Sequence, residues 1–154
     1  MALRRPVYAS SDADPLSVLR DLGPLEEKLG YRFSDRELLK RALTHASATP
    51  ALSNERLEFL GDRVLGLVVA EKLHARHAGE SEGALTVRFH ALVRAEACAR
   101  AAEAAGLTEY IKLAGTGFDS ARARAAILSD VCEAVIAAIY LDGGMAAARA
   151  FIER

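Results

Sequence analysis

The chain has 154 residues, 51% of them hydrophobic, and its twenty basic and twenty-one acidic side chains leave a formal charge of −1. That composition supplies one domain with a core that needs no covalent staples, while so small a net charge gives no sign of a polyanionic partner. Cys98 and Cys132 lie 34 positions apart with no CxxC or Cys/His spacing, which excludes a disulfide framework and a structural zinc site and suits a reducing, cytoplasmic setting; no apolar run reaches the roughly 18 residues of a membrane span, and the N-terminus lacks the apolar core of a signal peptide.

The first thirteen residues read as a flexible basic tail, and residues 14–154 as one domain. Asp14 before Pro15 has the form of an N-cap with proline at the first helical position, and Gly23 closes that short segment. Pro24 to Leu29 offers another turn or two before Gly30. Ser34 and Glu37 have capping-box spacing, and Leu38, Leu39, Ala42 and Leu43 follow at helical intervals, which predicts a helix to about His45. After the loop SATPALS a long helix is expected from about Ser53 to His77, then another from Ser81 to a stop at Gly106. Thr108 to Leu113 is ambiguous. The loop GTGFDSARAR precedes a strongly apolar helix from about Ala125 to Leu141, and Gly143-Gly144 separates it from MAAARAFIER. No segment sustains the period-two alternation of a half-buried strand, so the fold class is all-α. The last helix still carries its apolar stripe, Ala147, Ala148, Phe151 and Ile152, when the chain ends at Arg154, which suggests a longer natural gene product.

The stretch NERLEFLGD puts Glu55, Glu58 and Asp62 into nine residues. At 3.6 residues per turn they share an arc of about 60°. Like charges at i,i+4 repel, more strongly as water is excluded. Leu57, Leu60, Val64, Leu67 and Val68 lie opposite the stripe and Phe59, Leu65, Val69 and Leu73 beside it, so the helix is expected to be central. Arg56 and Arg63 stand at the wrong spacing to neutralise Glu58 or Asp62 along that face. ILSDVCEAVIAAIYLD has the same peculiarity: Asp130 and Glu133 sit side by side, and no Lys or Arg occurs between Arg124 and Arg149. Acids in such helices form a solvated face, are protonated, pair with a distant cation, or bind metal, because a bare buried carboxylate costs several kcal/mol. If the two stripes face each other, four carboxylates without His or Cys make an all-oxygen site suited to Mg²⁺ or Mn²⁺ rather than zinc. His74 and His77 share a helix face but make only half a metal site.

NERLEFLGDRVL resembles the signature of the ribonuclease III family. LEEKLGYRFSDRELLKRALTHAS, EGALTVRFHALVRAE and AILSDVCEAVIAAIYLDGG resemble the other segments of its catalytic domain in the same order, from about Leu25 to Ile152. The resemblance implies a single helical endonuclease domain that pairs as a homodimer and, with Mg²⁺ (Mn²⁺ substituting), hydrolyses phosphodiesters of double-stranded RNA to 5′-phosphate and 3′-hydroxyl ends in cytoplasmic RNA processing, ribosomal RNA included. It assigns Glu58, Asp62, Asp130 and Glu133 as metal ligands, Asp62 and Glu133 among them as catalytic, and gives Glu55 and, less directly, Glu82 an accessory place near substrate. It places Phe59 at the two-fold interface; an ordinary core aromatic is the other reading. Thr44, His45 and Ser47 match a family motif at a helix end, where a structural role is expected. The double-stranded-RNA-binding domain that commonly follows in relatives is absent from this sequence, which leaves Arg122 to Arg124 and Arg88 to Arg94 as phosphate contacts or plain solvated surface. Arg63 departs from the small residue many relatives carry there. The alternative is a non-cutting RNA-binding or ribosome-associated scaffold of the same fold.

Overall fold

The computed structural model describes residues 21–115 and 118–154; the expected tail and residues 14–20 of the first expected helical segment lie outside them. Helix α1 (Gly23–Leu29) takes Pro24 into its first turn and ends on Gly30 at φ 66°, the left-handed conformation that glycine adopts without steric cost. Helix α2 (Arg36–Ala42) is capped by Asp35, whose carboxylate accepts the Glu37 amide at 3.0 Å. The expected cap, Ser34, is displaced by a tertiary contact: its amide donates to Asp142 at 2.8 Å. Beneath this turn buried Glu26 takes Arg36 at 2.6 Å and the Phe33 amide at 2.9 Å. Burial would raise its carboxyl, but these donors and Arg32 outweigh it and hold the group below its ordinary value.

Helix α2 stops before His45 because the chain leaves to cross another segment. Thr44 returns its hydroxyl to the Lys40 carbonyl at 2.9 Å and forms a parallel bridge with Lys112. The His45 amide donates to Lys112 and the Lys112 amide to Leu43. This bridge is the β pairing seen among the described residues, so the all-α expectation holds. A 3₁₀ turn at Pro50–Leu52 leads into α3 (Glu55–Arg76), and a second, Leu107–Tyr110, occupies the ambiguous stretch after Gly106.

The helix expected from Ser81 to Gly106 is two helices, α4 (Glu82–Val93) and α5 (Ala95–Ala104), broken at Arg94, whose backbone is extended at φ −66°, ψ 152°. Phase explains the break. Leu85, Phe89 and Val93 pack on the core from α4, and Cys98, Ala99 and Ala102 are buried from α5. On one straight helix the centres of these two stripes would lie about 130° apart, so the chain bends to bury both.

Helix α6 (Ala121–Ile152) starts four residues earlier than expected, on Ser120, whose hydroxyl accepts the Ala123 amide at 3.1 Å. It is interrupted at Gly144 (φ 81°, ψ −177°), where the sequence places its Gly-Gly break. Asp142 fixes this corner, accepting Tyr31 Oη and the amides of Ser34 and Asp35 at 2.8–3.0 Å. The first arm of α6 is the core's centre: Leu128, Val131, Cys132 and 134–139 are buried. Against it α3 lays Leu57, Val64, Leu65, Val68, Val69 and Leu73. The expectation that α3 is apolar-covered all round is only half met. Phe59 is 63% exposed and Leu67 50% exposed, so the side carrying them has no covering element among the described residues.

The two long helices cross at Gly61, where a Cβ would land on the Glu133 carbonyl and lie 3.1 Å from its Cα. Gly61→Ala is therefore expected to lower unfolding free energy by about 1–3 kcal/mol, the usual cost of overpacking, as read by urea denaturation. Gly83→Ala, on α4 with nothing within 4 Å of the added methyl, should leave stability unchanged or slightly raised; equal effects would contradict the crossing.

Candidate active site

Because α3 and α6 touch at Gly61, the carboxylates flanking that point meet across the crossing. Glu58, Asp62, Asp130 and Glu133 are all half-buried. No ion pair reaches Glu58, Asp130 or Glu133 among the described residues. Burial and then the charges of Asp62, Glu58 and Asp130 push the Glu133 carboxyl up to about 7, against a small opposing pull from Arg63. Burial, followed by Asp130, Glu55 and Asp62, raises Glu58. Burial raises Asp130 too, offset in part by His45. Charge from the other acids thus acts on Glu58, from Asp130 and Asp62, and on Glu133, from Asp62, Glu58 and Asp130, across and along the two helices.

The expectation that the two acidic stripes face each other is not met in full geometry. Among the described residues no three His, Cys, Asp or Glu side chains stand close enough together to hold a metal ion. The four supply hard anionic oxygen and no soft donor, which fits Mg²⁺ or Mn²⁺ in kind, but they have not closed to ligating distance. The structure also overturns the expectation that neither neighbouring arginine pairs with these acids. Arg63 Nη1 donates to Asp62 Oδ2 at 2.9 Å and to the Phe59 carbonyl at 3.2 Å. Helical spacing disfavours an i,i+1 pair; a side chain as long as arginine evades that rule by folding back over the preceding turn.

The remaining expected residues divide. Glu55 is exposed, accepts the Ser53 hydroxyl at 2.8 Å and sits close enough to raise Glu58. Glu82 lies on the exposed first turn of α4, bonded to Thr86 at 2.7 Å, and is absent from the charges acting on the four acids. Phe59 is not a core aromatic, given its exposure. Thr44 and Ser47 are structural as expected, Ser47 Oγ accepting the Ala114 amide at 3.2 Å. His45 is more than that: its ring lies 2.8 Å from Ser47 Oγ and its charge acts on Asp130. The signal was present in THAS, but nothing local links it to Asp130, 85 positions on. His77 pairs with Glu80 at 3.0 Å instead of joining His74. Arg88 is forked onto Glu80, and Arg124 onto Glu103, whereas Arg122 is exposed. Cys98 and Cys132 are buried free thiols, both pushed up by burial, Cys98 to about 11. A mostly apolar cavity of about 630 Å³ between α3, α5 and the end of α6 is lined by none of the four acids.

Known proteins give this arrangement a family. Residues 35–154 match the family model described as Ribonuclease-III-like. The chain is 52% identical over 132 residues to Ribonuclease 3 of Phenylobacterium zucineum, an alignment covering 82% of this chain and 56% of that protein. It is 49% identical over 145 residues to Ribonuclease 3 of Azorhizobium caulinodans, covering 90% and 62%. A solved structure of the nuclease domain of ribonuclease III from Campylobacter jejuni superposes with a TM-score of 0.77 at 38% identity, over 85% of this chain and 92% of that one. The chain belongs to the ribonuclease III family and has the fold of its nuclease domain. It spans little more than half the length of the curated relatives it matches. No helix among the described residues is long and apolar enough to cross a membrane.

The raised carboxyls set a pH dependence. An acid whose folded pKa exceeds its unfolded value stabilises the fold below that unfolded value, here 4.5 for Glu133, and the contribution is lost as pH rises through about 7. In EDTA, unfolding free energy should fall between about pH 5 and 8. Glu133→Gln should flatten that slope, measured by denaturation across the range; an unaltered slope would show that Glu133 is not strained in this way.

Proposed function

We propose that the chain is the catalytic part of a divalent-metal-dependent endoribonuclease that hydrolyses phosphodiester bonds of double-stranded RNA, leaving 5′-phosphate and 3′-hydroxyl ends, in cytoplasmic RNA processing that includes ribosomal RNA. The observation that carries this reading is the mutual charge of Glu58, Asp62, Asp130 and Glu133 at a glycine-enforced helix crossing. An acid cluster in which, among the described residues, Asp62 alone has an ion-pair partner costs stability and has an obvious use only if a cation joins it. Mg²⁺, with Mn²⁺ as substitute, would be held by these four side chains and would supply a bound water of lowered pKa and a charge facing the phosphoryl oxygens.

The protein's own part is placement. Asp62 and Glu133 face each other across the crossing and act closest to the reacting phosphate, Glu133 being the group whose pKa lies nearest neutrality. Glu58 and Asp130 complete the oxygen set, and His45 lends Asp130 a partial positive neighbour. Glu55 has an accessory place beside Glu58, and Glu82 a more remote one. No side chain is needed as a covalent nucleophile. A rod-like duplex would be recognised by shape, through phosphates and 2′-hydroxyls, with exposed Arg122, on the helix that carries Asp130 and Glu133, as one phosphate contact.

Two copies pair through the uncovered side of α3. Phe59 and Leu67 fall within about 80° of one another on the helix, and exposed large apolar side chains grouped on one face mark an interaction surface. The Campylobacter jejuni nuclease domain has a region involved in dimer formation, which supports the same assembly here. The competing reading, a non-cutting scaffold, draws on the Arg63–Asp62 pair, which occupies one acid of the four.

Incubating the protein with a long RNA duplex at low salt should give Mg²⁺-dependent shortening that EDTA stops. Gel retardation of intact duplex would instead favour the scaffold. Glu133→Gln should lower cleavage on the order of 10²-fold or more with the sedimentation of the dimer unaltered; cleavage near the wild-type rate would remove Glu133 from the site.

A further inference from the structure

Arg63 joins two surfaces that the sequence kept apart. One guanidinium donates from Nη1 to Asp62 Oδ2 at 2.9 Å and to the Phe59 carbonyl at 3.2 Å, and its Cζ lies 4.0 Å from the centroid of the Phe59 ring. The acid belongs to the candidate ion site and the ring to the candidate pairing face. The contact is specific, since a charge, a backbone acceptor and an aromatic face are satisfied by one planar group. It is also weak. The side chains of Arg63 and Asp62 are 58% and 49% exposed, and an ion pair so wet shifts an equilibrium by about fivefold at most. A divalent ion bound by several carboxylates would displace it readily, while a monovalent solvent ion would not.

Resting on the site proposed above, we propose that Arg63 is a resident counter-cation that holds Asp62 and covers the Phe59 ring, so that a divalent ion and a second copy of the chain each have to displace it and each thereby favours the other. The displacement has a defined direction. When Asp62 turns to a divalent ion, the guanidinium loses its charged partner, and what remains is one backbone hydrogen bond and the ring. When a partner copy seats on Phe59, the ring is taken and the guanidinium loses its platform. Both events select the same released position of Arg63, and linkage requires the coupling to be reciprocal. Arg63 acts here as a positioning residue: it contacts a ligand-bearing side chain and never needs to touch RNA.

The test needs no RNA. Mn²⁺ affinity is measured by isothermal titration on the whole chain at low salt, for wild type, Arg63→Gln, Arg63→Lys and Glu133→Gln, with the dimer dissociation constant by sedimentation in Mn²⁺ and in EDTA. Arg63→Gln should bind Mn²⁺ about two- to fivefold more tightly than wild type, the span an exposed pair covers, at an unchanged melting temperature. Arg63→Lys should fall between them, keeping the charge and losing the fork. Mn²⁺ should tighten the wild-type dimer, and should do so less in Arg63→Gln. Equal or weaker Mn²⁺ binding by Arg63→Gln, or a lowered melting temperature without tighter binding, overturns the proposal. An equal effect of Mn²⁺ on both dimers removes the link to Phe59. Glu133→Gln separates this from the site itself: if it binds Mn²⁺ as wild type does, the four-acid reading has failed whatever Arg63 does, whereas if it binds weakly and Arg63→Gln is unaltered, only the role of Arg63 has failed.

Discussion

The contact on which the rest of the molecule depends is the passage of α3 over α6 at Gly61, with no side chain between the α3 backbone and the carbonyl of Glu133. Two helices that ordinarily pack 8–10 Å apart come to the near end of what their side chains permit. The apolar flanks gain from it, since Leu57, Val64 and Val68 reach the buried arm of α6. The carboxylates on either side do not. Glu58, Asp62, Asp130 and Glu133 are carried toward one another by a packing force that has no regard for their charge. Burial of large apolar side chains, worth about 1.5–3 kcal/mol each, is the stronger effect, so the fold accepts the repulsion.

The acid site is therefore a strained corner of an otherwise satisfied molecule. Among the described residues no buried side-chain nitrogen or oxygen lacks a partner. Glu26 shows how the same protein treats a carboxylate it needs for structure, with a guanidinium fork and a backbone amide. Asp142 receives one hydroxyl and two amides. Glu58, Asp130 and Glu133 receive no such treatment among the described residues. The contrast, within one chain and one kind of functional group, is what marks these three as candidates for a working role.

Much of this was legible in the sequence, for local reasons. The spacing of Glu58 with Asp62 and of Asp130 with Glu133 follows from helical period, and the glycines at 30, 106 and 144 end or break helices where a left-handed residue is needed. What was illegible depended on tertiary partners. Ser34 and Asp35 are both competent caps, and Asp142, more than a hundred residues away, decides between them. The uncovered state of Leu67 is invisible to a helical projection, which finds an apolar face without saying what lies on it. His45, beside the Thr44–Lys112 crossing, acts on Asp130 from 85 positions away. The break at Arg94 is different: the phase shift of about 130° between Leu85-Phe89-Val93 and Cys98-Ala99-Ala102 was there to be read, with no glycine or proline to draw attention to it.

The corner at Gly144 gives α6 two arms, and both rest on α3. The first arm meets it through the core and the acids; the second is fastened by Arg149 to Glu71 and by Glu153 to Lys72 at 3.6 Å. Both pairs are exposed, so salt that screens them would act first on the arm beyond Gly144 and not on the arm that bears Asp130 and Glu133.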